Sequence, residues 1–354
     1  VLENPLVPVI AHNAKFEYKI LRRQGIELRG FQDTKIVAYL LGAPLTGLKV
    51  LAKQVLGAQP TTYKMVTAGR QMSELAPETV APYAAADADH TLRLWPVLAK
   101  RLQDEGLQRI YNEIELPLVP VLAKMEAVGM NVSVEACRAV AAKLGAAIAS
   151  TREAVYEALD VPTTDFNVDS SDQLAEMLET LDVPLKKKTK VKQRFVVDAD
   201  ALQTLVEADW RPDIIEPLMS YRRFQKMITY VTGFVRLRGP DGRLHTSLNQ
   251  SGHWDNVNDD AKNAPSTGRI SSSGPNLNNV PHHRALVAGV DWGRELRQCL
   301  VATDGNVLLS ADLSQEEPKI IAVIAHDETL LREFAAGRDI YRPATEALYP
   351  DTCF

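Results

Sequence analysis

Two acidic side chains, Asp312 and Glu317, bracket the segment DLSQEE late in the chain. The apolar run at 307–309 before them is typical of a buried strand, and Pro318 after them suits the first turn of a helix. Because proline disfavours the helical region for the residue before it, we predict Glu317 outside the helix and Asp312 at the strand end. A carboxylate fixed on a rigid element is a ligand that Mg²⁺ prefers. A surface turn with solvated acids is the alternative that spacing alone leaves open.

A second polar segment lies upstream of this turn and reads TGRISSSGPNLNNVP at 267–281. In this order the two segments resemble the palm of the family A DNA polymerases, in which T-G-R-x-S-S-x-x-P-N-L-x-N-x-P precedes D-x-S-Q-x-E. The resemblance runs from Val7 to Arg342. It implies template-directed DNA synthesis by phosphoryl transfer, with template–primer DNA and deoxynucleoside triphosphates as partners and two Mg²⁺ ions as cofactors.

The acidic turn holds the catalytic residues that this resemblance implies. Asp312 corresponds to a magnesium ligand, and the backbone carbonyl of Leu313 adds a second ligand atom. Glu317 would close off the 2′ side of the incoming sugar and so exclude ribonucleotides. Both acids are therefore expected in the polymerase site.

The polar segment holds the DNA contacts that the resemblance implies. Arg269 would reach the minor-groove edge near the primer terminus, where acceptors recur on every base pair. Gln315 would help to position the primer end, and Asn276 and Asn279 would contact the duplex or the template.

Tyr83 and Asp87 form a second candidate site on a predicted helix. They stand four positions apart and share one face, so that Asp87 could bind a metal and Tyr83 could orient a water, although such a pair is more often ordinary helix surface. The Tyr83-x-x-x-Asp87 spacing resembles the third motif of the 3′–5′ exonuclease domain linked to these polymerases. The second motif resembles Asn13-Ala-Lys-Phe-Glu17, which makes Glu17 and Asp87 metal ligands by resemblance. The family has Asp at the position of Glu17, and one extra methylene displaces the carboxylate.

Parts of the family pattern have no counterpart between Val1 and Phe354. These are the first exonuclease motif Asp-x-Glu, the fingers helix and the H-D-E motif. We therefore interpret the sequence as an internal fragment with an incomplete exonuclease domain. We expect that the 354 residues alone do not polymerise, because one aspartate cannot hold two metal ions.

A basic run in the predicted thumb is a candidate binding site for the phosphates of duplex DNA. It would bind them independently of the DNA sequence. A solvated loop is the alternative. Its members are Lys186, Lys187, Lys188, Lys190, Lys192 and Arg194. Further along, Arg222 and Lys226 are four apart on one helix face. They would contact the template–primer backbone or merely solvate the helix.

Apolar periodicity predicts the elements that must position these residues. They are a strand at 7–11, helices at 12–21, 33–41, 48–56, 83–102, 114–125 and 131–158, and a strand at 244–248. Asp33 and Asp327 are candidate helix caps. The side chains expected to share an apolar face are Phe16, Ile20 and Leu21 in one helix and Leu118, Val121, Leu122 and Met125 in another.

The resemblance predicts an α/β fold with several domains. They are a partial RNase H-like 3′–5′ exonuclease domain at 1–105, a mostly helical thumb with its connecting helices at 106–240, the first part of an α+β palm at 241–325 and the start of the fingers at 326–354. A polar segment at 251–266 interrupts the palm without an assigned function.

The composition is that of a globular protein with 45% apolar and 24% charged residues. A net charge of −5 does not by itself indicate nucleic-acid binding. No apolar run is long enough for a membrane span, and the three separated cysteines predict reduced thiols, so we expect a cytoplasmic protein without a membrane partner. Two other classes stay open, a stand-alone 3′–5′ exonuclease of the DEDDy type and a non-catalytic DNA-binding relative of a polymerase.

Overall fold

The computed structural model describes residues 1–162, 166–185, 187–188, 194–251, 267–281, 286–287, 289–341 and 345. It divides into two compact units, Val1–Ala302 and Thr303–Phe354. The mixed α/β class predicted from the sequence is confirmed. None of the helices in the described ranges has the length and apolar character that a bilayer crossing requires. The domain limits at 105, 240 and 325 stay a prediction.

The N-terminal part of the first unit is a pair of parallel strands covered by helices. Its elements are β1 (Val9–Ala11), α1 (Ala14–Arg23), β2 (Phe31–Asp33), α2 (Thr34–Leu40), α3 (Leu48–Leu56), α4 (Tyr63–Thr67) and α5 (Pro77–Asp104). The predicted strand and helices are confirmed in position. The apolar face predicted for α1 is wrong in part, because Phe16 and Ile20 are exposed and the helix buries Ala14 and Tyr18 instead.

Asp33 joins the ends of two helices in this part of the chain. Its carboxylate accepts hydrogen bonds from the backbone N–H groups of Lys35 and Ile36, which confirms it as the cap of α2. The same carboxylate also accepts from the N–H groups of Asn13 at 3.0 Å and Ala14 at 2.7 Å, at the start of α1. Because it is only 2% exposed, one buried side chain satisfies orphan donors of both helices.

A helical connection follows, formed by α6 (Gln108–Ile110), a π-helical turn (Tyr111–Glu115) and α7 (Leu116–Val128). The apolar face predicted for α7 is wrong at two positions, because Val121 and Met125 are exposed. The helix is rotated so that Glu126, a charged residue, lies inside at 3% exposure. The reason is electrostatic, since Glu126 forms ion pairs with two lysines of α1.

The middle of the first unit is mostly helical, as predicted. It contains α8 (Val134–Leu159), α9 (Ser171–Thr180), α10 (Ala199–Glu207) and α11 (Pro212–Leu237). Helices α8 and α11 pack along each other. One core of Val155, Leu174 and Leu218 lies at the α9 end, and a second core of Leu144, Phe224 and Trp292 continues towards the strands.

Short strands complete the first unit. They are β3 (Met130–Val132), β4 (Arg243–Leu244), β5 (Ser247–Asn249), β6 (Ser271–Ser273), β7 (Leu286–Val287), β8 (Val290–Asp291) and β9 (Leu300–Val301), with α12 (Trp292–Arg297) before β9. The order β4-β3-β9 forms one antiparallel sheet, and β5 pairs with β6. The single strand predicted at 244–248 is therefore two strands with different partners.

The second unit contains α13 (Glu316–Ile324) and α14 (Glu328–Ala335), which pack together. The buried strand predicted at 307–309 is wrong, because Val307 is 87% and Leu309 is 91% exposed. Backbone groups of a strand need a neighbouring strand, and among the described residues of this unit none pairs with this run. The prediction for Glu317 is also wrong, since α13 begins at Glu316; a proline in the first turn lacks only an N–H that was free anyway. Asp327 caps α14 as predicted.

Candidate functional site

Glu17 lies on α1 with its carboxyl group turned partly inward. Its Oε2 atom is buried and has no hydrogen-bond partner. Burial, and to a smaller degree the charge of Asp33, raise the pKa of Glu17 to about 7. This carboxyl group is therefore costly to ionise, because burial removes hydration and a backbone hydrogen bond to Glu17 offsets only part of that loss.

Glu17→Gln is expected to stabilise the protein at alkaline pH. The folded-state pKa lies above the ordinary value of 4.5, so the folded state holds the proton more tightly between pH 4.5 and about 7. Stability is then lost as the pH rises through that window, by about 3 kcal/mol in total. Urea unfolding at pH 8 should show the variant more stable by up to this amount, and at pH 4.5 nearly equal to the wild type. Glu153→Gln on the exposed side of α8 controls for the lost charge, and an equal gain at both pH values would contradict the prediction.

Tyr83 and Asp87 lie together on α5, as the spacing predicted. Burial, followed by the charge of Asp87 and a hydrogen bond to it, raises the pKa of Tyr83. The structure adds a third member, because the Lys49 ammonium forms an ion pair with Asp87 and lies 4.1 Å from the centre of the Tyr83 ring. Sequence reasoning missed Lys49, since no local pattern connects two residues 38 positions apart.

The two predicted metal ligands differ in their surroundings. Asp87 has Lys49 as its counter-ion, whereas Glu17 has one buried carboxylate oxygen without a hydrogen-bond partner. Within the described ranges no group of three or more His, Cys, Asp or Glu side chains is suited to hold a metal. The role of Glu17 and Asp87 as metal ligands stays a prediction, and we derive no reaction step from it.

The segment at 267–281 is folded around one buried hydroxyl group. Ser272, in the middle of β6, accepts hydrogen bonds from the N–H groups of Leu277 at 2.9 Å and Asn278 at 3.1 Å. It donates towards the side-chain oxygens of Asn276 and Asn278. The asparagine-rich turn is thus fastened to the strand, and we call 267–281 the Ser272 loop.

The Ser272 loop presents its candidate DNA contacts outward. Arg269, Asn276 and Asn279 are all exposed. The Asn276 oxygen accepts from the N–H of Asn279 at 3.2 Å, which leaves its amide nitrogen for other contacts. Tyr230 of α11 donates to the carbonyl of Asn279 at 2.7 Å and anchors the end of the turn. The three predicted side chains therefore sit on one ordered loop.

Part of the basic run is paired with acidic side chains of the neighbouring helices. Lys188 lies 3.1 Å from Glu179, and Arg194 lies 2.9 Å from Glu176, both on α9. Lys187 lies 3.4 Å from Asp198, the cap of α10. Exposed pairs of this kind contribute little and exchange readily for other partners. Lys186, Lys190 and Lys192 lie outside the described residues.

Arg222 and Lys226 differ in their surroundings on α11. Arg222 is largely buried, donates to the carbonyl of Val197, and has a pKa lowered by burial. Lys226 is exposed. A DNA contact by either residue stays a prediction, and Lys226 is the more accessible of the two.

Asp312 and Leu313 lie on the exposed segment before α13. Gln315 stands at the N-cap position of this helix in a left-handed conformation without a side-chain capping bond, and its amide donates to Asp339 at 2.9 Å instead. A pocket of about 310 Å³ opens beside it, lined by Gln315, Lys319, Arg338 and Asp339 among others. Hard oxygen atoms of a carboxylate and a carbonyl at 312–313 are the donor types that suit Mg²⁺.

Comparison with known proteins identifies the families to which the two parts of the chain are similar. The family model described as "DNA polymerase family A" matches residues 134–350, and the one described as "3'-5' exonuclease" matches residues 1–103. The chain belongs to DNA polymerase family A. We call residues 1–103 the exonuclease segment of this family A chain.

Relatives of this family A chain are bacterial proteins named DNA polymerase I. The one from Rhizobium leguminosarum is 33% identical over 359 residues, which are 99% of this chain and 33% of the relative. The one from Chloroflexus aurantiacus is 34% identical over 98% of this chain and 36% of its own length. The chain thus spans about a third of the length of these relatives.

A solved structure of the same family has the same fold. It is the POL domain of Pol1 from M. smegmatis in complex with a DNA primer-template and dNTP. Its TM-score is 0.75 and its sequence identity 26%, over 99% of this chain and 55% of the solved chain. The likeness covers the exonuclease segment and the Ser272 loop alike.

Proposed function

We propose that the protein carries out template-directed DNA synthesis. The observation that carries this proposal is the Ser272 loop, which presents Arg269, Asn276 and Asn279 together on an exposed surface. The M. smegmatis neighbour was solved with DNA primer-template and dNTP, which supports the same partners for this chain. The bacterial relatives named DNA polymerase I support a cytoplasmic location.

In the proposed reaction the primer 3′-hydroxyl attacks the α-phosphate of a bound deoxynucleoside triphosphate. A new bond forms between the hydroxyl oxygen and the α-phosphorus, and the bond from that phosphorus to the bridging oxygen breaks, which releases pyrophosphate. In the first unit, Arg269 is the proposed primer contact. In the second unit, the resemblance assigns Gln315 to the primer end and Glu317 to the 2′ position of the sugar. Asp312 and the Leu313 carbonyl would hold magnesium, which stabilises negative charge on the transferring phosphate when bound.

Primer extension tests this proposal directly. The protein is produced from its complete reading frame and incubated with a labelled primer–template, deoxynucleoside triphosphates and Mg²⁺. We expect extension that follows the template sequence and discriminates against ribonucleotides. A protein that binds the primer–template but never extends it would instead favour the non-catalytic DNA-binding class.

The exonuclease segment supports a second candidate function less well. Its match to the 3'-5' exonuclease family favours hydrolysis of the primer end. The pairing of Asp87 with Lys49 argues against it, because a lysine ammonium competes with a metal ion for the carboxylate. We therefore propose synthesis, and not hydrolysis, as the main activity.

Replacing the six basic residues at 186–194 by alanine is expected to weaken duplex binding. The logarithm of the binding constant falls as the logarithm of the salt concentration rises, and each lost phosphate contact should make this slope less steep by about one. Because Lys187, Lys188 and Arg194 also have acidic partners, the slope should fall by less than the full six. Fluorescence anisotropy at several salt concentrations measures the slope. The control is a triple variant on the exonuclease segment, Lys53→Ala with Lys64→Ala and Lys100→Ala. An unchanged slope in the variant of 186–194 would count against phosphate binding by the basic run.

A further inference from the structure

Strand β5 is held by side chains that come from far away in the sequence. The N–H of Leu248 donates to Oε1 of Glu126 at 2.8 Å, and the Lys15 ammonium donates to the carbonyl of Leu248. Glu126 is 3% exposed and pairs with Lys15 and Lys19 at 2.5 Å each. Burial alone would raise the pKa of Glu126, but the hydrogen bonds from the two lysines and from Leu248 hold it below its ordinary range. The cluster of Lys15, Lys19 and Glu126 therefore holds both the N–H and the carbonyl group of Leu248 in β5. We call these contacts the first tether.

A second tether reaches the start of the Ser272 loop. The N–H of Gly268 donates to the hydroxyl oxygen of Tyr39 at 3.1 Å. Tyr39 lies on α2 in the exonuclease segment and is half-buried, while Gly268 adopts a φ of +76°. The next residue is Arg269. The exonuclease segment thus holds the backbone immediately beside the arginine proposed to contact the primer.

The two tethers act on the same small element. Among the described residues, β6 is the one pairing partner of strand β5, in an antiparallel register that sets Leu248 opposite Ser272. An isolated two-stranded sheet is marginally stable in water. The Lys15–Glu126 cluster therefore steadies the strand under Ser272, and Tyr39 steadies the chain that leads into Arg269. Removing either tether should leave the Ser272 loop folded but less well positioned.

We propose that Tyr39 and Lys15 of the exonuclease segment, together with Glu126, are positioning residues for primer binding by the polymerase. They do so by holding β5 and Gly268, so that Arg269 is presented to the primer end in one orientation. This role requires no hydrolysis by the exonuclease segment. The inference rests on the proposed function, because it takes Arg269 as a primer contact.

Tyr39→Phe is the variant that tests the proposal, since it removes only the hydroxyl group. A neutral hydrogen bond of this kind is worth about 1 kcal/mol, which corresponds to about a 5-fold change in an equilibrium constant. We expect the KM for primer–template to rise about 5-fold while kcat changes less than about 2-fold. Peptides covering 267–273 should exchange amide hydrogens faster in the variant.

Tyr156→Phe is the matched control. Its hydroxyl donates to the carbonyl of Phe166 at 2.8 Å, in the core beneath α9, so that it also loses one hydrogen bond from tyrosine to backbone. A general loss of stability would affect both variants. We expect Tyr156→Phe to leave the KM and the exchange of 267–273 unchanged.

Arg269→Ala separates failure of the inference from failure of the proposed function. We expect it to weaken primer–template binding and to abolish the further effect of Tyr39→Phe in the double variant. Wild-type binding and extension by Arg269→Ala would overturn the primer contact on which the proposal rests. If Arg269→Ala is impaired but Tyr39→Phe behaves like the wild type, or if the two effects simply add, the positioning role is wrong and the proposed function stands.

Discussion

Asp312→Asn is expected to reduce primer extension by at least about 1,000-fold. The substitution keeps the size of the side chain and removes its negative charge. Phosphoryl transfer depends on the stabilisation of charge at the transferring group, and in the proposed site the 312 carboxylate is the one described acid that would hold magnesium with the adjacent carbonyl. Binding of primer–template should persist or strengthen, because a charge that repels phosphates is lost.

Asp304→Asn provides the matched control for this prediction. Asp304 is also exposed and lies in the turn before the same segment, but the proposed site does not use it. Single-turnover extension with saturating primer–template measures the chemical step for both variants. Comparable rates for Asp312→Asn and Asp304→Asn would remove Asp312 from the reaction.

Asp33→Ala should destabilise the exonuclease segment by about 4 kcal/mol or more. Four backbone N–H groups, those of Asn13, Ala14, Lys35 and Ile36, would lose their acceptor at the starts of α1 and α2. Each buried donor left without a partner costs about 1–3 kcal/mol. A loss of this size is a large part of the stability of a typical domain.

Asp33→Asn should lower the free energy of unfolding by about half as much as Asp33→Ala. The asparagine oxygen can still accept hydrogen bonds from some of the four N–H groups, whereas its amide nitrogen cannot accept any. Asp327→Ala is the control, since Asp327 caps α14 alone at a half-buried position and its loss should cost about 1 kcal/mol. Thermal and urea unfolding followed by circular dichroism measure all three. The double capping role is refuted if Asp33→Ala and Asp327→Ala lose the same amount.

The Tyr39 tether extends this view of the N-terminal region. Asp33 fixes α2, and α2 carries the hydroxyl group that reaches Gly268. Substitution of Asp33 should therefore disturb the Ser272 loop as well as the starts of α1 and α2. The exonuclease segment then matters to DNA synthesis through its fold, whatever its own chemistry.

The positions of several helices, two of their caps and the family could be read from the order of the residues. Asp33 and Asp327 were recognisable as caps because a cap bonds to N–H groups two or three residues ahead. The α5 face with Tyr83 and Asp87 followed from helical spacing. The order of the two polymerase motifs indicated family A, which the comparison confirmed.

Which charged residues are buried and which apolar residues are exposed depends on contacts between distant parts of the fold. Glu126 is buried because Lys15, 111 positions earlier, neutralises it, and Met125 beside it is exposed as a result of the same rotation. Lys49 meets Asp87 across 38 positions, and Tyr39 meets Gly268 across 229. The run at 307–309 has strand composition but is exposed, with no paired strand among the described residues. Caps and helix faces depend on neighbours within a few residues, whereas ion pairs, strand pairing and burial depend on partners that the fold alone brings close.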